Sequence, residues 1–191
     1  MAKGGSFERE VSVDLTKWLT GKNKPYVFWR MPGSGGLATI HEECVDLSGD
    51  IRAIKPIAEF LTERFNIECK TGYPRTNFWQ LFKKIKHFDI KDFWEQTCRD
   101  AENAGKYPML IFRKKGQHKV LGIQEFEDLR FTLRVPDLKL VPSLVVKFGD
   151  FLPPMVVYDF QDFFDLVTPN DIKDIPISSR SVDYEIKTLL D

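Results

Sequence analysis

The sequence predicts a mixed β-sheet flanked by helices, an α/β or α+β layer architecture. Three observations carry this. A helix-periodic apolar stripe opens the chain, short β-like runs then interleave with helical segments, and the last third is dominated by further β-like runs. Hydrophobic residues make up 42% and charged residues 29% of 191 residues, the balance of a globular chain long enough to bury a core.

Taken in order, Ser6 is placed to cap a helix running to Leu19, with Phe7, Val11, Leu15, Trp18 and Leu19 on its apolar face. The stretch from Gly21 to Pro25 ends it. Residues 26–30 read as a strand, and Pro32-Gly33-Ser34-Gly35-Gly36 as a flexible loop. Residues 46–54 read as a second strand with Gly49 inside it. Residues 56–64 have helix spacing at Ile57, Phe60 and Leu61, behind a proline at a tolerated first position. Residues 65–70 form the third strand.

Two helical segments follow. Residues 77–88 carry Phe78, Leu81, Phe82 and Ile85 on one face, and residues 91–104 carry Phe93, Trp94, Cys98 and Ala101, with Gly105 as the stop. Trp79 and Trp94 fall at core spacing or its border. Residues 108–113 are an almost unbroken apolar run, as expected of a strand covered on both faces. Further strands are expected over 119–123, 131–135, 144–148 and 155–158. A weak echo sets Pro108, Leu110, Arg113, Phe126 and Asp128 against Pro142, Leu144, Lys147, Phe160 and Asp162; two copies are too few for a solenoid, and chance is the preferred explanation. From Thr168 the chain reads as polar and irregular up to a helix over 183–190.

Bulk properties narrow the function classes. The 28 basic and 28 acidic residues cancel, so nucleic-acid binding would need a local basic patch rather than a basic chain. Cys44, Cys69 and Cys98 are odd in number and far apart, which indicates a reducing compartment and no disulfide framework. The opening residues do not form a signal peptide, and no apolar run reaches the ~18 residues of a membrane span. A cytoplasmic protein is expected, in the host cytoplasm if the source is viral. The loop at Gly33–Gly36 is not a P-loop, because no Gly-Lys-Ser/Thr follows. His41-Glu42-Glu43-Cys44 lacks the paired cysteine spacing of a zinc site.

The chemistry centres on Phe65-Asn66-Ile67-Glu68-Cys69-Lys70. Side chains alternate along a strand, so Glu68 and Lys70 share a side and Cys69 takes the other. With Asp50 on a neighbouring strand, an acid pair and an ammonium can build a metal-and-water site suited to phosphodiester hydrolysis. In that reading Glu68 and Asp50 hold a divalent metal, with the Cys69 backbone carbonyl as a further hard oxygen. Lys70 orients the attacking water or steadies charge on the phosphate. Glu8, in the first turn of the opening helix, can reach the metal from above the sheet, with Glu10 as a rival pointing elsewhere. Each element has a bland counterpart: a solvent-facing ion pair on an edge strand, a Gly-Asp turn, a helix-dipole acid.

Together these residues resemble the PD-(D/E)xK nuclease superfamily and, more narrowly, archaeal-type Holliday-junction resolvases and their phage relatives. The resemblance spans roughly residues 3–115. It rests on Lys3-Gly4-Gly5-Ser6-Phe7-Glu8-Arg9-Glu10, on Arg30 followed by Gly33-Ser34-Gly35, on Gly49-Asp50, and on Ile67-Glu68-Cys69-Lys70. It implies a restriction-endonuclease-like core over 1–125, with 126–191 as a β-rich extension and tail packed on the core or on a partner subunit. It implies Mg²⁺-dependent cleavage of DNA, with Mn²⁺ able to substitute in an oxygen-rich site, and a homodimer. It also implies that Glu8, Asp50, Glu68 and Lys70 are catalytic and that Ser34 lies near the scissile phosphate. The chain departs from the pattern at Gly49, where a proline is usual, in its long Asp50–Glu68 connection, and in its large C-terminal third.

The DNA-facing candidates are Arg9, Arg30, Arg75 in the loop after the lysine, and Gln80, Lys83, Lys84 and His87 on the next helix. Arg113, Lys114, Lys115, His118 and Lys119 form a second basic cluster at a turn. The bland reading of both groups is a solvated polar face. The expected activity is an endonuclease acting on branched DNA. Its competitors are a restriction- or repair-type nuclease cutting duplex or flapped DNA, an RNA-directed nuclease, and an inactive DNA-binding or assembly protein on the same fold.

Overall fold

A computed structural model describes residues 3–31, 48–73, 89–114, 116–124, 135, 138, 141–149 and 151–178. Helix α1 (Lys3–Thr20) is followed by the short strands β1 (Phe28–Arg30) and β2 (Ile51–Ala53), which pair antiparallel with Arg30 opposite Ile51. A 3-10 turn at Pro56–Ala58 leads into α2 (Glu59–Arg64) and then β3 (Phe65–Thr71). Helix α3 (Asp89–Asn103), β4 (Tyr107–Arg113), β5 (Val120–Gln124), β6 (Ser143–Val146) and β7 (Met155–Asp159) follow, and α4 (Phe160–Leu166) and α5 (Pro169–Lys173) come last. Mixed α and β content and a five-stranded mixed sheet are consistent with a restriction-endonuclease-like fold.

The sheet runs β3-β4-β5-β7-β6. Strands β3 and β4 are parallel, so the chain must cross over between them, and α3 lies on that crossover. The other pairs are antiparallel. Strand β4 explains its own composition. Met109 and Ile111 pack into the cluster that contains Phe7, Val11 and Leu15 of α1, whereas Leu110 and Phe112 pack with Ile90, Phe93 and Trp94 of α3. With both faces covered, no position is left for a polar residue. The Trp94 indole N–H donates to the Pro153 carbonyl at 2.9 Å, which satisfies its only donor in this core.

Several boundaries differ from the sequence expectations. Helix α1 starts at Lys3, so Ser6 lies within the helix instead of capping it, and Glu8 lies beyond the first turn, which removes the helix-dipole reading of that acid. Gly49 has φ +82°, so the chain bends there, and the strand begins only after Asp50. Ile57 is 59% exposed while Ala58 is buried. The 3-10 turn advances three residues per turn, which moves the buried face off the α-helical spacing. The stretch after Thr168 is not irregular: Thr168 and Asp171 form a capping box for α5 behind Pro169. Gly105 does stop α3, with Lys106 N donating to Ala101 O and Gly105 N to Glu102 O. The helix over 77–88, the strand over 131–134, Trp79 and the helix over 183–190 lie outside the described residues.

The C-terminal elements pack on the first half of the chain. The Trp18 indole donates to Val167 O at 2.8 Å, and the Arg64 guanidinium donates to Ile175 O at 2.6 Å and to Lys173 O at 2.9 Å. Phe160, Phe163 and Phe164 join the α1-side cluster.

An ion network ties α1 to the β4–β5 turn. Glu10 Oε1 accepts from Arg113 Nη1 at 2.6 Å and from Lys119 Nζ at 2.7 Å, and Lys119 also meets Asp14 at 2.8 Å. Burial pushes the Glu10 carboxyl up, but hydrogen bonds from Lys119 and Arg113, together with their charges, more than reverse this, and its pKa falls below 4.5. A depressed carboxyl contributes stability above the unfolded-state pKa and loses it as the pH falls through the folded one. Glu10→Ala is therefore expected to cost about 1 kcal/mol near pH 7, and the difference from the native chain should vanish in acid. Urea unfolding at neutral pH and near pH 3 checks both.

Candidate active site

The site lies on the outer edge of β3. Asp50 N donates to Ile67 O at 2.7 Å, and Cys69 N donates to Asp50 Oδ2 at 2.8 Å. The backbone groups of Ile67 and Cys69 therefore face away from β4 and toward Asp50. A residue's N–H and C=O share a direction along a strand, so the Cys69 carbonyl lies on this side as well. Residues 49–50 thus cover an edge that would otherwise present unpaired donors and acceptors. The hydrogen bond from Met31 N to Asp50 O, at 2.7 Å, extends the β1–β2 pairing up to this point.

Gly49 fits its place for two reasons. Its φ of +82° is strained for any other residue type, and an added Cβ would lie 2.9 Å from Asn66 Oδ1 and 3.0 Å from Ile67 O. This accounts for a glycine where the resembling families usually carry proline, whose φ is fixed near −65°.

Glu68 and Lys70 project on one side of β3, as alternation requires. Lys70 Nζ lies 2.5 Å from Glu68 Oε1, and Glu68 is 7% exposed. Strand β3 is a sheet edge, yet this is not the solvated ion pair of the bland reading. Gln96 of α3 adds a second donor to Glu68 Oε1 at 3.4 Å and also reaches Asp100 at 3.4 Å. Gln96 was not singled out in the sequence. The available signal was its position on the polar flank of a helix whose Phe93, Trp94 and Thr97 are buried.

Glu8 approaches from the α1 side. Its carboxylate is 3.7 Å from Arg30 Nη1. Gly5 permits this approach, because a Cβ there would lie 2.9 Å from the same guanidinium nitrogen. Arg30 is thereby engaged with an acid of the site, whereas Arg9 is exposed on α1. Of the two rival glutamates, Glu10 is occupied by Arg113 and Lys119, whereas Glu8 faces Arg30. The same network engages two members of the second basic cluster. Ser34, Arg75, Gln80, Lys83, Lys84 and His87, as well as Lys115, lie outside the described residues.

The electrostatics reflect the gathering of acids. Glu68 is pushed up to about 7 by burial and then by the Asp50 charge, against Lys70. Glu8 is raised by burial and by Asp50, against Arg30 and Lys70. Burial lowers the Lys70 ammonium, but the Glu68 charge and hydrogen bond, with Asp50 behind them, raise it overall. The Cys69 thiol is driven well up by burial and by Asp50, Glu68 and Glu8 together, so it is an inert, buried group and not a nucleophile.

No set of three His, Cys, Asp or Glu side chains among the described residues is gathered closely enough to grip a metal unaided. The donor chemistry nevertheless fits a hard divalent cation. The Asp50 charge raises the proton affinity of both Glu68 and Glu8 beside a backbone carbonyl edge, and added positive charge would offset that repulsion. Lys70 and Gln96 both address Glu68 Oε1, which leaves Oε2 as the oxygen it would offer an ion. Beside Lys70 lies a shallow recess lined by Tyr73, Phe93, Phe112, Arg113 and Lys114. Lys70 Nζ sits 5.9 Å from the Phe93 ring centre, and Tyr73 meets that ring edge-on at 4.6 Å.

The family described as phage putative PDDEXK endonuclease matches residues 1–174 of the chain. No curated protein and no solved structure matches it. Among the described residues no helix is long and apolar enough to cross a membrane.

Proposed function

The chain belongs to the phage PDDEXK endonuclease family, and on that footing we propose that it is a divalent-metal-dependent endodeoxyribonuclease acting on branched DNA as a homodimer. The observation that carries the reading is the buried group on one strand edge: Glu68 and Lys70 at 2.5 Å, with Asp50 fixed at 2.8 Å by the Cys69 amide. Asp50, Glu68, the Cys69 carbonyl and, from across the edge, Glu8 are the residues that would hold Mg²⁺. The ion would sharpen a water nucleophile and stabilise charge on the phosphate and the leaving oxygen.

The protein side chains supply the positioning. Lys70 orients the attacking water and keeps a positive charge beside the phosphate. Glu68 and Gln96 hold the ammonium side of the site in register. The Cys69 N–H locks the Asp50 carboxylate against rotation, so the acid does not have to be ordered when substrate arrives. Exposed Tyr73 and half-buried Lys114, with Arg113 held by Glu10 behind them, line a recess beside Lys70 along which a strand backbone can run. Two sites related by a dimer axis would address opposed strands of a two-fold symmetric junction.

A panel of four-way junction, flap, linear duplex, single-stranded DNA and RNA, each with Mg²⁺ or with EDTA, tests the proposal. Internal cuts that need the metal and are fastest on the junction are expected. Equal rates on junction and duplex would favour the restriction- or repair-type reading. Failure to cut any DNA with Mg²⁺ or Mn²⁺ would remove the catalytic reading altogether.

A further inference from the structure

We propose that Ser48 and Asn66 form a buried hydration pocket behind Asp50, and that a water held there makes both of them positioning residues for the Asp50 carboxylate. The inference rests on the catalytic reading of Asp50. Asn66 is 1% exposed, and neither its Oδ1 nor its Nδ2 has a hydrogen-bond partner. Ser48 Oγ is likewise buried without one. These are the described residues' unpaired buried polar groups nearest the site in sequence, and they flank one structural feature. Ser48 precedes Gly49, and Asn66 Oδ1 lies 2.9 Å from where a Gly49 Cβ would stand.

Asn66 shares its side of β3 with Glu68 and Lys70, and the residue after it, Ile67, accepts the Asp50 N–H at 2.7 Å. The turn that carries Asp50 is thus anchored on the Ile67 carbonyl, with the Asn66 side chain lying close beside Gly49. A primary amide has two donors and an acceptor with two lone pairs, and a hydroxyl adds one donor and two lone pairs. Water, with two of each, is the small ligand that complements such a set, and buried waters commonly hold two to four polar partners. An amide with no partner would be poorer at this position than leucine of similar size. Its chemistry therefore points to a bound partner rather than to packing.

The test uses the full chain with Asn66→Leu, Ser48→Ala and the double variant. It reads urea unfolding in EDTA, Mn²⁺ affinity by calorimetry, and kcat separately from KM on the best substrate. Asn66→Leu is expected to fold but to unfold at a somewhat lower urea concentration than the native chain, because it removes a hydrogen-bonded amide and leaves Ser48 Oγ without its water. It should lose roughly 10- to 100-fold in kcat with KM little changed, and bind Mn²⁺ more weakly by about the same factor, as loss of an outer-shell support does. Ser48→Ala should move both readouts the same way to a lesser degree, and the double variant should be no worse than Asn66→Leu alone, because the shared water is already gone.

Asn66→Leu that cuts within twofold of the native rate and binds Mn²⁺ equally well overturns the proposal, as does strict additivity of the two substitutions. If Asn66→Leu fails to fold, Ser48→Ala decides by the same Mn²⁺ measurement. If the native chain itself neither cuts nor binds Mn²⁺, the catalytic reading fails separately. The unfolding cycle in EDTA then still judges the pocket, since independent groups add and groups sharing one water do not.

Discussion

Asp50→Asn is expected to give a folded protein that cuts at least about 10³-fold more slowly, a loss on the order of 4 kcal/mol of transition-state stabilisation. The asparagine keeps an oxygen that can accept the Cys69 N–H now 2.8 Å from Asp50 Oδ2, so the covered edge of β3 persists. What disappears is one negative charge from the donor set. The same charge raises both Glu68 and Glu8, so its removal relieves repulsion in the metal-free protein. The variant is therefore expected to be inactive and, in EDTA, at least as thermally stable as the native chain, the reverse of what a merely structural acid would show. Cleavage rate and melting temperature measured on one preparation separate the two accounts. Native-like cutting by Asp50→Asn would leave the group of acids without a catalytic role.

Much of this arrangement was legible in the chain because strand alternation is a strict geometric rule. Phe65 to Lys70 could only place Glu68 and Lys70 together, and the structure brings them to 2.5 Å. The unbroken apolar run of β4 likewise announced a strand covered on both faces, and the apolar stripe of α1 announced its buried side. The misreadings have local causes. Ser6 looked like a cap because capping chemistry is common, yet the helix extends back to Lys3 through Gly4 and Gly5, and the small size of Gly5 admits Arg30. Ile57 followed α-helical spacing, but the chain there is a 3-10 turn. The capping box of Thr168 and Asp171 was present in the sequence and went unread because the α5 it starts is only five residues long. Burial could not be read at all. An ion pair two residues apart on an edge strand is ordinarily solvated, and tertiary cover, which among the described residues includes Gln96 and Phe93 of α3, makes this one a buried, strongly interacting group.

That burial has a thermodynamic consequence, carried by Glu68. Its folded-state pKa is pushed up to about 7 from the ordinary 4.5, first by burial and then by Asp50. Between those two values the folded chain retains a proton that the unfolded chain releases, so stability must fall as the pH rises through the window. The contribution is fully present below pH 4.5 and lost above about 7, and a shift of this size corresponds to about 3 kcal/mol. Glu68→Gln has no proton to exchange and still offers an oxygen to Lys70. In EDTA it should match the native chain near pH 4.5 and exceed it at pH 8, by somewhat less than that figure, because Lys70 loses the charge that raises it. Urea unfolding of both proteins at pH 5, 6, 7 and 8 reads the difference directly, and parallel curves would sink the argument. Excess Mg²⁺ at pH 8 supplies the converse. A cation that binds the ionised carboxylate in the folded state alone stabilises the native chain by mass action, and it should leave Glu68→Gln nearly unmoved. The buried acid would then cost the free protein stability at the pH where it is ready to hold the ion.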